Sequence, residues 1–579
     1  MKQFLYNNRW ALFLSLVVGC ITVAPAILAP LSIGSAYRGI QYAPLNDEDT
    51  YRALAHEVQD GHPMVVSPFF YEYKNDASTA EAIPPLNSWV YGYPAFIFGL
   101  SATLAVSKFL FPAILFLLTY WLVLLLIGEE SFDAKLCATA AGLLVVLGAD
   151  MVDYHYLLAG LKNPSALRAN IWTRPQNPIV GGIELFGFFT LLWSVVQKHF
   201  RYAYIPAGVV FALTVGYYFS FGIAGAFLAT LFVLMVLKKE WHTARNLFLV
   251  GVVMLIADCW YWYGALTSFG GTAGTAAALR NGMFLTHAPV FNIFLFAATI
   301  VVALCFAYIY FAKKITHNNA WLFVAALIAA CWIAFNEQII TGKEIWYYHF
   351  VQYTVPLSLV ATLVALYLAL RPALPRLWRA LMLCACAASL IYGAASMYSF
   401  VPNTLTFAQT QQESSAIGWL NANAPADCVV LLANYTDDLQ QKIPAYTQCN
   451  LYDPQWLFSG VPQARIQHDF FVRLWLQGVS STDAKSYLLA HDTEVRAYFY
   501  DNWTELFGSG VDAWVQGKIN IAVLQYQQFL QNNIKEQLQK YRLDYILSEG
   551  PLSKSLLAEL PGLKVKAISG PYYFYAFTY

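Results

Sequence analysis

Asp47, Glu48 and Asp49 stand in a row on the first polar loop, just after the first apolar segment. Clustered carboxylates can do two kinds of chemistry. One acid can take the proton from a hydroxyl group as its oxygen attacks, and a pair can hold a hard cation through oxygen. The chain continues Thr50-Tyr51-Arg52-Ala53-Leu54-Ala55-His56-Glu57-Val58-Gln59-Asp60-Gly61, where Tyr51, Leu54, Ala55 and Val58 recur at helical spacing and Gly61 marks a stop. Asn46 would cap this helix, and acids in its first turn would complement the dipole. A purely structural reading of the three acids therefore stands beside the chemical one. The Asp-x-Asp spacing of Asp47 and Asp49 is the part that would suit a divalent cation such as Mg or Mn.

Cationic groups that could face those acids are Arg168, Arg174, Arg280, Lys343 and His349. Each has a plainer reading. Arg174 follows Trp172 and could snorkel at the lipid headgroups, and His349 ends the aromatic run Trp346-Tyr347-Tyr348 that suits a membrane interface. Arg280 comes after a Gly-rich stretch, 270–274, that reads either as a mobile lid or as simple slack. Asp150, Asp153, His155, Glu184, Asp258, His287 and Glu337 gather near the ends of apolar segments on the same side. Polar groups at that depth face a wet cavity or a partner, so their one-sided distribution predicts an outward-facing polar hollow.

What positions these residues is a membrane bundle. Hydrophobic residues make up 58% of the 579 and charged residues only 12%, about half of what a soluble domain carries. Lys+Arg and Asp+Glu balance at 34 each, which excludes the basic surface of a nucleic-acid binder. Roughly eleven apolar stretches have the length a bilayer requires. They lie near 10–29, 108–128, 134–151, 178–197, 202–217, 219–237, 245–265, 290–312, 320–336, 353–370 and 377–397. The first follows Lys2 and Arg9 and runs on past Ala24-Pro25-Ala26, as a retained anchor does. A further stretch, 90–105, is expected to lie in the interface, because a crossing there would invert every later loop.

The short loops with Lys135, Lys198 and Arg201, Lys238 and Lys239, Lys313 and Lys314, and Arg371, Arg376 and Arg379 mark the cytoplasmic side. The acid-bearing loops 30–107, 152–177, 266–289 and 337–352 then lie outside, and so does the C-terminal part. Two domains follow: a mainly α, polytopic helical bundle over 1–403 and an extracytoplasmic α/β domain over 404–579. In the latter, Gln409–Asn423 and Ile519–Tyr541 read as helices, and Cys428–Leu432, Tyr545–Leu547 and Tyr572–Phe577 as strands. The nine cysteines contain no Cys-x-x-Cys pair, and seven lie in or near apolar segments. Cys428 and Cys449 fall in the outer domain, where a disulfide between them is expected.

Three motifs carry a resemblance. Asp47-Glu48-x-x-Tyr51 with Glu57-Val58, Gly61, Pro84-Pro85-Leu86 and Trp89 resembles the first outer loop of GT-C glycosyltransferases, especially aminoarabinose transferases and protein mannosyltransferases. Arg174-Pro175-Gln176-Asn177-Pro178 and Asn336-Glu337-Gln338-Ile339-Ile340-Thr341-Gly342-Lys343 resemble segments of other GT-C membrane proteins. The likeness spans about two thirds of the chain, in short and degenerate motifs. It departs from the aminoarabinose transferases at Ile83, where they carry lysine; the nearest lysine here is Lys74.

The resemblance implies a polyprenyl-phosphate sugar donor in the lipid and an acceptor glycan, lipid or protein outside the cytoplasm, as in a bacterial inner membrane. In that setting Asp47 is the expected base, with Glu48 or Asp49 positioning the acceptor or a divalent ion. Arg174, Arg280, Lys343 and His349 are the expected contacts for the donor phosphate, whose growing charge needs cationic donors. The rival class is a transporter or lipid flippase, which is often built from repeated halves; no internal repeat is visible, and the polar residues crowd one side instead.

Overall fold

The computed structural model describes residues 7–577 apart from 46, 66, 75–84, 164–165, 199, 269–275, 277, 313–317, 435–436 and 455–460. The expected Asn46 cap, Ile83 and Pro84, the 270–274 stretch, Lys313 and Lys314 thus lie outside the described residues. In chain order the apolar helices and two short ones between them are α1 (Arg9–Ile33), α2 (Glu48–Gln59), α3 (Leu86–Phe98), α4 (Leu100–Ile127), α5 (Phe132–Leu147), α6 (Ile179–Val196) and α7 (Tyr204–Leu213). They continue as α8 (Tyr218–Leu237), α9 (Trp241–Ala257), α10 (Ile293–Phe311), α11 (Asn318–Phe335), α12 (Val351–Leu370) and α13 (Pro375–Ser399). Every expected span is helical. Among the described residues seven of these helices are long and apolar enough to cross a membrane. The rest, α5, α7, α9 and α11, are shorter; α7 is prolonged by a 3-10 turn to Gly216. Local chemistry sets their ends. Ser131 accepts from the Ala134 amide, Asn292 from Phe294 and Leu295, Pro375 opens α13, and Gly128 closes α4 in the left-handed region.

The two ends of the bundle differ. Where α4 hands over to α5 and α12 to α13, Asp133 is only 1% exposed and receives Arg371 at 3.1 Å and Arg379 at 2.6 Å. The opposite end carries α2, α3 and the C-terminal domain. Here α4 begins at Leu100, eight residues before the expected 108, because the apolar run breaks at Gly99, whose φ is +77°. The expected interfacial stretch is therefore α3 plus the first turn of α4. α3 buries Asn87, Ser88, Tyr91, Gly92 and Ala95, and exposes Val90, Tyr93, Phe96, Ile97 and Phe98, an apolar face suited to the edge of a bilayer.

Beyond α13 the chain forms a mixed sheet with helices. α14 (Asp437–Tyr446) connects β3 (Val429–Leu432) to β4 (Asn450–Leu451), and the remaining strands are β5 (Tyr545–Glu549), β6 (Lys564–Ser569) and β7 (Tyr572–Ala576). The order is β4-β3-β5-β7-β6, with β3 parallel to both neighbours and β7 antiparallel to β5 and β6. All four residues of β3 are buried, as a strand covered on both faces requires. A short hairpin, β1 (Met283–Leu285) with β2 (Lys343–Ile345), lies apart from this sheet. Cys428 and Cys449 are joined by a disulfide at the start of β3 and β4.

The C-terminal domain is not closed on itself. Ala53, Phe69 and Phe70 of the first outer loop belong to its core, and the Leu451 amide of β4 donates to Phe69 O at 3.0 Å. The acid-bearing loop is thereby built into that domain. α2 is held from the other side by α3, at a crossing only glycine fits: a Cβ on Gly92 would lie 2.4 Å from Val58 Cβ and 2.8 Å from Ala55 O. Gly92→Ala should lower thermal stability by about 1–3 kcal/mol, whereas Gly418→Ala, with nothing within 4 Å of the added carbon, should not. Melting of the two purified variants against the parent checks this.

Candidate functional site

Asp47 is the residue from which α2 departs, so its backbone is fixed by the helix while its side chain is free to turn outward. The carboxylate is 33% exposed and accepts from Arg174 Nη1 at 2.8 Å. Arg174 comes from the loop before α6 and is 9% exposed, deeply buried for a side chain that cannot shed its charge. Its Nε donates to Asn177 O at 2.5 Å, and its guanidinium carbon lies 5.3 Å from the Tyr51 ring. Burial works against the charge, but Tyr51 first and then Asp47, Tyr217 and Tyr353 outweigh it and raise the arginine's proton affinity. The loop is held by Gln176, which donates to Tyr51 O at 2.7 Å and accepts from Ser88 at 3.0 Å, and by Asn87, which donates to Asn177 at 2.5 Å. Tyr353 on α12 donates to Pro178 O at 2.8 Å.

The next acid points elsewhere. Glu48 is 5% exposed and accepts from Lys108 Nζ of α4 at 2.5 Å. Burial raises its proton affinity and Lys108 opposes that. Asp49 lines a cleft with Gln41, Tyr42, Glu48, Arg52, Lys108 and Tyr446, and its core has room of about 20 Å³, enough for one water-sized group. Ala26, Leu104 and Ala105 form the cleft's apolar side. Arg52, one turn after Glu48, uses every side-chain nitrogen: Nε to Ala445 O at 3.2 Å, Nη1 to Gln41 at 2.6 Å and Nη2 to Ser101 at 2.5 Å. The acids thus divide two faces of one helix start. Asp47 looks toward Arg174 and the phenols, and Glu48 and Asp49 toward the cleft.

Of the other expected cations, His349 is near and three have other surroundings. The field of Arg174 reaches His349, whose buried Nδ1 has no hydrogen-bond partner among the described residues and whose ring packs on Trp346, Tyr348 and Phe219. Arg280 turns into the C-terminal domain instead, donating to Val461 O at 2.6 Å and Gln463 at 3.0 Å. Lys343 is exposed on β2, opposite Leu285. Arg168 lies 3.5 Å above the Tyr156 ring and donates to its hydroxyl. The Asn336–Gly342 motif braces the loop before α10: Asn336 accepts from the Val290 amide at 2.8 Å and Gln338 donates to Ala288 O at 3.0 Å. Glu337 accepts from the Tyr218 hydroxyl. Asp47 and Asp49 remain the acids a divalent ion would use, but Asp47 is taken up by Arg174, and among the described residues no three His, Cys, Asp or Glu converge as a ligand set.

Lys108, Arg52, Tyr446, Tyr217 and Tyr353 were not singled out from the sequence, and Tyr51 was read there only as a motif and helix-face residue, without a role in the chemistry. A signal existed for two of them. Tyr51 is four residues from Asp47 on the same helical face, and Lys108 is a lone lysine inside an apolar run, where a charge needs a partner.

No family model matches the chain, and no curated protein matches it. Among solved structures it is similar to ArnT from Cupriavidus metallidurans, crystallised bound to undecaprenyl phosphate: the match covers 98% of both chains at 12% identity, with a TM-score of 0.44. At that level the likeness carries no weight for the role of any residue.

A second polar cluster fixes the far end of α2. Lys74, 5% exposed, lies 3.1 Å from Glu57 and 2.6 Å from Asp427, the residue before the disulfide. His56 faces Asp60 at 3.5 Å and Pro444 O at 3.1 Å. Burial pushes the Glu57 carboxyl up to about 7 from its ordinary 4.5, against the pull of Lys74. The folded protein therefore keeps a proton that an unfolded chain releases near 4.5, so stability falls as pH rises from there to about 7 and levels off above it. Glu57→Gln should remove as much as about 3 kcal/mol of that pH dependence. Melting curves from pH 4.5 to 8 should show the parent losing stability relative to the variant.

Proposed function

We propose that this chain is an integral membrane glycosyltransferase of the GT-C kind, transferring a sugar from a polyprenyl-phosphate donor to a hydroxyl group of an acceptor glycan, lipid or protein outside the cytoplasm. The setting is a bacterial inner membrane, with the Asp47 end of the bundle and the C-terminal domain facing outward. The observation that carries the reading is the contact of Asp47 with Arg174 at 2.8 Å, a carboxylate one-third exposed against a buried guanidinium, beside Tyr51 of α2 and Tyr217, Tyr353 and His349 at the ends of apolar helices. A base and an anion holder side by side are what direct displacement of a phosphate needs.

In this scheme Asp47 takes the proton of the acceptor hydroxyl as its oxygen attacks the anomeric carbon. The bond from that carbon to the phosphate oxygen breaks on the opposite face, so the anomeric configuration inverts. The electron pair leaves on the phosphate, which Arg174 holds and His349 assists. No general acid is required, because a lipid phosphate already leaves as a stable anion. Asp49, on the neighbouring face, positions the acceptor. Arg280 and Lys343 have no part in this scheme, since Arg280 serves Val461 and Gln463 and Lys343 is exposed on β2.

Undecaprenyl phosphate, the lipid named for ArnT, is the first donor carrier to assay, with labelled sugars on it and an envelope extract as acceptor. Asp47→Asn should lower turnover by about 10²–10⁴, the usual contribution of a general base, in a protein that still folds; full turnover in the folded variant would remove Asp47 from the chemistry. Arg174→Ala should raise the donor KM by about tenfold to a hundredfold, the worth of a charged hydrogen bond, with a smaller change in the acceptor KM. A variant with the parent's donor KM would contradict the phosphate assignment.

A further inference from the structure

His349, which assists the phosphate in this scheme, is aimed by ring contacts. Its buried Nδ1 has no hydrogen-bond partner among the described residues, so nothing fixes the imidazole through that nitrogen. Trp346, Tyr348 and Phe219 pack on it at centroid distances of 4.8, 4.6 and 5.2 Å. Trp346 is the constrained member of this set. Its φ of +37° lies in the left-handed region, which a bulky residue enters only where its surroundings hold it. The His349 amide donates to Trp346 O at 2.8 Å, so backbone as well as ring links the two.

Two neighbours hold the Trp346 ring. One is Gly282, just before β1: a Cβ there would lie 1.3 Å from Trp346 Nε1, so only glycine leaves room for the indole. The other is Trp503 of the C-terminal domain, 4% exposed, whose ring centroid lies 4.9 Å from that of Trp346. Arg280, two residues before Gly282, donates to Val461 O at 2.6 Å and to Gln463 at 3.0 Å in the same domain. The loop that carries Gly282 and the ring of Trp503 are thus fastened to one body.

We propose that Trp346 and Trp503 are positioning residues for the donor phosphate: Trp503, supplied by the C-terminal domain, holds the Trp346 ring beside Gly282, and Trp346 holds the His349 imidazole toward the phosphate on Arg174. The inference rests on the transferase reading above, with His349 as a second contact of the phosphate. It gives the C-terminal domain a hold on the donor side of the site as well as on α2. It also makes Arg280 the tether of the Gly282 loop and not a phosphate contact.

The test uses the full-length protein in phospholipid nanodiscs, with the undecaprenyl-phosphate sugar and envelope extract of the previous assay. The KM for donor and for extract, kcat and the melting temperature are read. Trp503→Ala should raise the donor KM about tenfold, the worth of one hydrogen bond to a charged group, and leave the extract KM near the parent's. Gly282→Ala drives a methyl group at the same indole without opening the C-terminal core. It should raise the donor KM in the same way, and it reads the contact where Trp503→Ala does not fold. In a His349→Ala background neither change should raise the donor KM further, because the ring they position is gone. Full additivity there would overturn the assignment, as would a parent-like donor KM in both folded variants. An equal rise in both KM values with a lowered melting temperature would overturn it too, since that marks a structural contact alone. A parent that transfers no sugar ends the transferase reading and this one with it. An active parent whose His349→Ala variant keeps the parent's donor KM ends the His349 role and this inference together. A weakened His349→Ala beside parent-like Trp503→Ala and Gly282→Ala ends only this one.

Discussion

A guanidinium with 9% of its surface exposed has to be met by an anion, and Asp47 meets that of Arg174. Much of the surrounding architecture exists to keep this meeting in place. The arginine loop is fastened to α2 through Gln176 and Tyr51 and to α3 through Ser88 and Asn87, and it is backed by Tyr353 on α12. Because Arg174 stays charged, the pair is a standing electrostatic demand. Anything that displaces Asp47 must bring a negative charge of its own. A phosphate does so, and a neutral sugar does not.

The second constraint is mechanical. α2 is a short helix outside the apolar bundle, and twelve residues do not hold themselves in water. Its stability comes from contacts on three sides. Gly92 of α3 admits Val58 to close range, Lys108 of α4 takes Glu48, and the C-terminal domain takes Arg52, His56 and Glu57 through Ala445, Pro444 and, by way of Lys74, Asp427. The C-terminal domain in turn has Phe69 and Phe70 in its core and Phe69 bonded to the edge of its sheet. The division at 404 therefore marks a change in composition along the chain, while the packed unit reaches back to the first outer loop. Movement of that domain would pull directly on the helix that carries the acids.

These contacts are mixed in their sensitivity to solvent. The Glu48–Lys108 pair, nearly covered on both sides, works at low dielectric and is screened little by salt. The cluster around Glu57 sits where burial already favours a protonated carboxyl, so Lys74 leans on Asp427, the nearer and more exposed acid. In the clamp at the start of α2 and in the clamp at its end alike, burial raises the carboxyl's proton affinity against a lysine, and the start is the end that bears on the candidate chemistry.

The sequence by itself determined what local physics controls. Apolar runs of bilayer length became helices at every expected place, Tyr51, Leu54, Ala55 and Val58 spaced a helix that ends at Gln59 just before Gly61, and the aromatic run near the C-terminus became β7. It also brought Asp47 and Arg174 onto one list, since both types are rare beside lipid and each demands a partner. Only the tertiary structure decided which partner each received. Arg280 and Arg174 look alike in sequence, but one is drawn into the C-terminal domain by Val461 and Gln463, and the other is fixed beside Asp47 by its own loop. Lys108 reads along the chain as the edge of a span, and becomes the partner of Glu48 only because Gly99 starts α4 early enough to bury it. Charges choose partners by distance and burial in three dimensions, and no spacing along the chain encodes either.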